Sequence, residues 1–133
     1  MTPIPVTVDK PWTTTVPFAQ GVKADGEFVF TSGITARDRD GRLVGAGDMR
    51  AQIGQCFDNV VDVLRAAGSD VQHVVKWTMY TTDIVEFGRH MDLVRRHFVG
   101  RPASTLVEVR RLVMAEMLVE IEAVALVPPQ IGA

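Results

Sequence analysis

The sequence predicts a single α+β domain over residues 1–133, in which a mostly antiparallel sheet carries two helices on one face. First, the patterns along the chain follow the order βββαβαββ. Second, the last strand has an uninterrupted apolar face on which two amphipathic helices can pack. Third, a composition of 47% hydrophobic and 23% charged residues is that of an ordinary globular domain.

The first part of the chain is predicted to be a β-meander. Prolines at positions 3, 5 and 11 predict an extended, irregular segment over residues 1–12. Strand signals follow at residues 13–18 and 27–32, and a short third strand is predicted at 42–45. The other end of the chain, residues 128–133, is expected to be a tail.

Both helices are predicted from caps and from apolar steps of three and four residues. Asp48 is a good N-cap and Gly68 a good C′ residue, so helix one should lie between them. Helix two opens with a capping-box pattern, Asp83 followed by Glu86, and should run for about 15 residues. Cys56 lies in the apolar stripe of helix one, and we interpret it as a core residue rather than a nucleophile.

Three further strands are predicted over residues 71–82, 103–112 and 117–127. The last one alternates between a wholly apolar face and a second face that mixes glutamates with leucine and valine. We expect Ser104 and Leu106 of the preceding strand on that second face. Because two helices cover only one side of a sheet, the second face is predicted to contact other subunits. A monomer with scattered apolar surface residues is the alternative.

Charge and motif content exclude several classes of partner. A net charge of −2 with dispersed basic residues argues against nucleic acid. His73, His90 and His97 do not have the spacing of a metal site, and we interpret them as surface residues. There is no signal-peptide pattern, no apolar run of membrane length and only one cysteine, so we predict a cytoplasmic protein without membrane contacts. The mixed second face of the sheet indicates other copies of the chain as partners.

Several segments, taken in order over residues 14–127, form the pattern of a known family. They are Pro17-Phe18-Ala19-Gln20-Gly21, Phe30-Thr31-Ser32-Gly33, Gly47-Asp48 with Gln52 and Gln55, Asn59 with Ala66-Ala67-Gly68, Val74-Val75-Lys76, Thr82-Asp83, Pro102-Ala103-Ser104-Thr105-Leu106-Val107-Glu108-Val109, and Val119-Glu120-Ile121-Glu122-Ala123-Val124-Ala125. In this order they resemble the Rid family (reactive intermediate deaminase, YjgF-type, also called endoribonuclease L-PSP).

The resemblance implies a YjgF-like, chorismate-mutase-like fold and a homotrimer with three clefts between neighbouring subunits. In the best-known branch these clefts hydrolyse reactive enamines and imines, such as 2-aminoacrylate, to a 2-keto acid and ammonia. No metal or organic cofactor is implied. A nuclease or translation-inhibitor role, sometimes attached to the family, gets little support from a net-acidic chain.

The resemblance also implies candidate site residues. Glu120 matches the carboxylate that orients the attacking water, and a structural ion pair with Arg110 is the alternative role. Ser32 and Gly33 match the cleft wall, where backbone groups and a hydroxyl approach the ligand, although Gly33 could equally serve only a turn. Phe18 stands where an aromatic residue lines the cleft.

Two positions depart from the deaminase branch. That branch reads Pro-Ala-Arg where this chain has Ser104, so the arginine that grips a substrate carboxylate is absent. A charged hydrogen bond of that kind is worth about 1.5–3 kcal/mol. Met91 stands where Asn is frequent, and Leu106 adds another apolar substrate-binding candidate. Arg101 or Arg110 could replace the missing arginine, although an Arg just after a helix is more often a cap or a solvated charge.

The sequence therefore predicts an arginine-lacking branch of the Rid family. Its expected activity is cofactor-free hydrolysis of an enamine, imine or enol intermediate, rather than standard 2-aminoacrylate deamination. Glu120 favours this enzyme hypothesis. Ser104 favours the alternative, a non-catalytic trimer that binds a small ligand or has a regulatory role.

Overall fold

The computed structural model describes residues 2–130, and these residues form two β-sheets. The main sheet has four strands and is antiparallel except for one parallel pair, which confirms the predicted α+β class. A smaller sheet pairs two short strands from the first part of the chain. The small sheet is β1 (Ile4–Val6) with β2 (Gly21–Lys23), and the main sheet has the order β3 (Glu27–Phe30), β6 (Val119–Val127), β4 (Val74–Thr81), β5 (Ala103–Glu108).

The hydrophobic core lies between the helices and one face of the main sheet. Helix α1 (Met49–Ala66) packs along β6, and its start and end follow the prediction. The Asp48 carboxylate accepts the Ala51 N–H at 3.1 Å, and Gly68 has a φ of +84°, which favours glycine after a helix.

The prediction of one continuous second helix is wrong. The segment forms two short helices, α2 (Ile84–Gly88) and α3 (Met91–Arg95). Asp83 caps α2 as predicted, by accepting the Glu86 N–H at 3.0 Å. The helix is interrupted at His90, whose backbone leaves the helical region. Its ring lies 3.2 Å from the Glu86 carboxylate, an interaction that fixes the side chain beside the break.

Aromatic rings pack at the centre of this core. Phe57 meets Trp77 edge to face with centroids 5.0 Å apart, and Trp77 stacks on Phe98. Cys56 is fully buried beside Phe57, and its thiol lies 3.6 Å from the carbonyl oxygen of Val119. The prediction that Cys56 is a core residue is therefore confirmed.

The last strand also alternates as predicted. Val119, Ile121, Ala123 and Ala125 are all buried under the helices. The opposite side of the sheet has no helix over it among residues 2–130, and we call it the open face. Its members on the strands β3, β4 and β6 include Phe30, Lys76, Thr78, Tyr80, Glu120, Glu122 and Val124.

The predicted opening strands are only partly right. Residues 13–18 form turns rather than a strand, because the hydroxyls of Thr13 and Thr15 bond carbonyl oxygens three residues earlier. Residues 42–45 pair with the chain only through an isolated bridge between Arg37 and Leu43. The first strand, Ile4–Val6, instead lies in the segment expected to be irregular.

Candidate functional site

Glu120 lies on the open face against a glycine. Residues 32–34 run beside β6, and the backbones of Ile34 and Ile121 exchange hydrogen bonds of 2.8 and 2.9 Å. A Cβ atom on Gly33 would stand 2.7 Å from Cδ of Glu120 and 3.2 Å from its Cγ. Real Cβ atoms essentially never make a contact as short as the first, so any side chain at position 33 would move the Glu120 carboxylate away from this place.

The segment before Gly33 is fixed to the same strand. Thr31 is buried, and its hydroxyl accepts the Ala123 N–H at 3.0 Å while donating to the carbonyl oxygen of Ser32 at 2.8 Å. Its own N–H donates to the Ala123 carbonyl at 3.0 Å. Ser32 and Gly33 remain exposed beside Glu120. We call Ser32, Gly33 and Glu120 the carboxylate group. Together they present backbone groups, a hydroxyl and a carboxylate to the same surface.

Tyr80 of β4 is the neighbour of Glu120 across the sheet. Tyr80 lies opposite Glu120 in the strand register, and its hydroxyl donates to Glu122 at 2.5 Å. That hydrogen bond raises the pKa of Tyr80, with smaller contributions from burial and from the charges of Glu122 and Glu120. Among residues 2–130, Glu120 forms no ion pair with Arg110, the partner considered for a structural role.

The strand register corrects the predicted position of Ser104 and Leu106. Both were expected on the face of Glu120, but Ser104 pairs with Trp77 and Leu106 with Met79, whose side chains belong to the core. Their neighbour Thr105 occupies the open face instead, where it accepts a 2.6 Å hydrogen bond from Lys76. The parallel pairing of β4 and β5 has a register that alternation within a single strand does not reveal.

Phe18 lies beside the start of the edge strand β5, which carries Ser104. The next residue, Ala19, bridges in parallel to Ala103, and its N–H donates to the carbonyl oxygen of Pro102 at 3.0 Å. Phe18 is half-buried against the core. Arg101 donates to the carbonyl oxygen of Phe18 at 2.8 Å. We call Phe18, Arg101, Ser104 and Leu106 the edge group.

The predicted site residues thus form two separate groups within one chain. The carboxylate group lies on the open face, whereas Ser104 and Leu106 of the edge group point to the helix-covered face. Met91 joins neither, because it starts α3 and packs against the core from the helix layer. One chain alone does not bring Glu120 and Ser104 into a common cleft.

The histidines are less exposed than predicted. The ring of His97 stacks on Phe57 with centroids 4.0 Å apart and 2° between the planes, and burial lowers its pKa. His90 lies between Glu86 and Arg50.

Within residues 2–130, no three His, Cys, Asp or Glu side chains are grouped as metal ligands. No helix in the same residues has the length and hydropathy of a membrane span.

A buried glutamine supports the site and was not assigned a role from the sequence. The Gln52 amide donates to the carbonyl oxygens of Gly45 and Glu116 at 3.0 and 2.9 Å. Its own oxygen accepts the Leu118 N–H at 2.8 Å, two residues before Glu120. Its burial could have been inferred from the sequence, because Gln52 is a polar residue next to Ile53 in the apolar stripe of α1.

The chain matches the family model described as Endoribonuclease L-PSP over residues 9–127. A RutC family protein of Pyrococcus horikoshii is 36% identical over 111 residues, covering 82% of this chain and 86% of the relative. A protein of Escherichia coli named 2-iminobutanoate/2-iminopropanoate deaminase is 34% identical over 114 residues, covering 82% and 86%.

Solved structures share the fold. A Rid family protein of unknown function from Yersinia pestis, YyfB, aligns with a TM-score of 0.86 and 26% identity over 95% of this chain and 99% of its own. Escherichia coli TdcF, solved with bound serine, aligns with a TM-score of 0.69 and 30% identity over 84% and 88%.

Proposed function

This chain belongs to the endoribonuclease L-PSP family, which includes the Rid (YjgF-type) proteins, and we propose that it hydrolyses reactive enamine, imine or enol intermediates without a cofactor. One observation carries the proposal. The Glu120 carboxylate lies on an accessible sheet face next to the segment that carries exposed Ser32, in a space that Gly33 leaves free. Such a carboxylate can orient a water molecule against a bound electrophile.

The proposed reaction needs only this base and a bound substrate. For an imine, the water oxygen attacks the imine carbon while Glu120 accepts one proton from the water and passes it to the nitrogen, which gives a neutral carbinolamine. Glu120 then accepts the proton of the carbinolamine hydroxyl and passes it to the nitrogen as the C–N bond breaks, so ammonia leaves and a carbonyl compound remains. The carboxylate is regenerated, and one water is consumed per ammonia released.

We further propose that the site is completed by a second copy of the chain in a homotrimer. The edge group and the carboxylate group lie on different sides of one sheet, so a second copy would have to bring its Ser104 edge to the Glu120 face. Phe30, 72% exposed on the open face, supports such a contact because a large exposed apolar side chain favours burial.

The proposed substrate lacks the carboxylate of 2-aminoacrylate, which would place the chain in an arginine-lacking branch of the family. Ser104 offers a neutral hydroxyl where an arginine would offer a charged fork. Arg101 does not supply that fork in the described structure, because its side-chain donors already meet three backbone carbonyl oxygens.

We place the protein in the cytoplasm, in keeping with a single cysteine, Cys56, that is free and buried.

A substrate panel tests this proposal. Amine release is followed in coupled assays that generate 2-aminoacrylate or 2-iminobutanoate, and in parallel with neutral imines and enamines of similar size. We expect acceleration of at least one neutral substrate and a smaller effect on the two acids. Efficient turnover of 2-aminoacrylate would contradict the proposed substrate class, and no turnover of any compound by a verified trimer would contradict the enzyme proposal.

The second candidate function is a trimer that binds a small ligand without converting it. The absence of a charged anchor at Ser104 favours it, since a catalytic site needs its substrate firmly oriented. Replacing Glu120 with Gln distinguishes the two functions. Loss of turnover with retained ligand affinity supports catalysis, whereas equal affinity and no turnover in either protein supports binding alone.

A further inference from the structure

Arg101 connects two distant parts of the chain at the edge of the main sheet. Its Nη2 donates to the carbonyl oxygens of Phe18 and Thr13 at 2.8 and 3.0 Å, and its Nη1 donates to that of Val16 at 3.3 Å. The acceptors precede Arg101 by 83 to 88 residues. One half-buried guanidinium therefore holds three points of a single segment, residues 13–18, which we call the Phe18 segment.

Apart from the packing of Phe18 on the core, the Phe18 segment has few other contacts that fix it to the sheet. Its other hydrogen bonds are local, from Thr13 and Thr15 to carbonyl oxygens three residues earlier. The bridge from Ala19 to Ala103 joins only its end to β5. Without Arg101, the turns would keep their local shape but would lose three of the contacts that place them against the edge strand.

The geometry of the guanidinium group explains why an arginine suits this position. A guanidinium is planar, always charged and carries five donors that point in fixed directions, so it can meet several carbonyl oxygens at once. A lysine at the same place has one nitrogen on a flexible stem. It would keep the charge but could not reproduce the two-nitrogen geometry seen on Phe18 and Val16.

We propose that Arg101 is a positioning residue that holds the Phe18 segment against the start of β5 and so sets the shape of the cleft beside Ser104. This inference rests on the proposed function in one respect only, that Phe18 lines the substrate cleft. The side chain acts through the segment and does not contact the substrate. Its role is therefore distinct from that of a substitute for the missing carboxylate-binding arginine.

Amide hydrogen exchange tests the positioning role without any need for a substrate. Arg101→Lys keeps the charge, and Arg101→Met keeps the length without it. In both variants we expect exchange in residues 13–19 to be about tenfold faster or more, because losing even one net hydrogen bond raises local opening by about that factor and Arg101 makes three. Exchange in α1 should stay as in the parent protein. Arg65→Lys, an exposed arginine in the last turn of α1, is the matched control and should leave residues 13–19 unchanged.

Kinetics on the substrate identified by the panel give the second readout. We expect Arg101→Lys to raise KM about tenfold, equally for acidic and neutral substrates, with kcat little changed. Unchanged exchange in residues 13–19 would overturn the proposal, and so would a KM increase confined to carboxylate-bearing substrates. If the parent protein turns over no compound, the proposed function fails while the exchange result still decides the role of Arg101.

Discussion

The α-carbon of Gly33 lies against the carboxylate of Glu120, so closely that a methyl group at position 33 would overlap Cδ of the glutamate. Gly33 does not have a positive φ, so its backbone conformation is open to other residues. A side chain at position 33 would therefore displace the carboxylate by occupying its space, not by straining the backbone. The two residues come together because residues 32–34 pair with β6 at Ile121.

Gly33→Ala should reduce kcat while the fold persists. The added methyl would displace the Glu120 carboxylate by about 1 Å, a misplacement that can cost about 100-fold in rate. Turnover of the best panel substrate and the thermal midpoint measure the two effects. Gly54→Ala is the control, because its Cβ would meet only Leu93 at 3.9 Å and helix propensity should stabilise the protein by about 0.5–1 kcal/mol. Normal turnover in Gly33→Ala would contradict the placement of Glu120.

Gln52→Leu should destabilise the protein strongly. The leucine fills much of the same volume but leaves the Glu116 carbonyl oxygen and the Leu118 N–H without their partner, whereas the Gly45 carbonyl oxygen still accepts the Asp48 N–H at 2.9 Å. A donor or acceptor left unpaired away from water costs about 1–3 kcal/mol, so the free energy of unfolding should fall by about 2 kcal/mol or more. Urea unfolding measures it. A loss below about 1 kcal/mol would show that water replaces the amide.

Cys56 should be unreactive in the folded protein. Burial raises the pKa of its thiol to about 12, and the charge of Glu120 adds to the rise, so the reactive thiolate is scarce at pH 8. A chromogenic disulfide reagent should label it slowly in buffer and at once in denaturant. Labelling in buffer at the rate of a free cysteine would show that the β6 side of α1 opens readily.

The helix and sheet patterns that could be predicted are those governed by local chemistry. Asp48 and Asp83 are caps in the structure because a short acceptor side chain is enough to start a helix. The alternation of β6 was visible because one of its faces is covered by the α1 core. The division between α2 and α3 was not visible, since it depends on His90 and its contacts with other side chains.

The site was predicted less completely than the fold. The nearness of Gly33 to Glu120 depends on a pairing between segments almost ninety residues apart along the chain, which periodicity does not encode. The same holds for Ser104, whose face depends on the parallel register of β4 and β5. The contacts of Arg101 with backbone carbonyl oxygens leave no pattern in the sequence at all.

The most direct test of the proposed function compares Glu120→Gln with Glu122→Gln. The two glutamates lie on the same face of β6, and Tyr80 donates a hydrogen bond to Glu122 that an amide oxygen can also accept. Turnover of the best panel substrate is measured for both variants, after sedimentation confirms that each has the oligomeric state of the parent. We expect Glu120→Gln to lower kcat by about 100-fold or more, the usual contribution of a general base, and Glu122→Gln to keep kcat within the same order of magnitude. Equal activity of Glu120→Gln and the parent protein would contradict the assignment of Glu120 as the residue that orients the water.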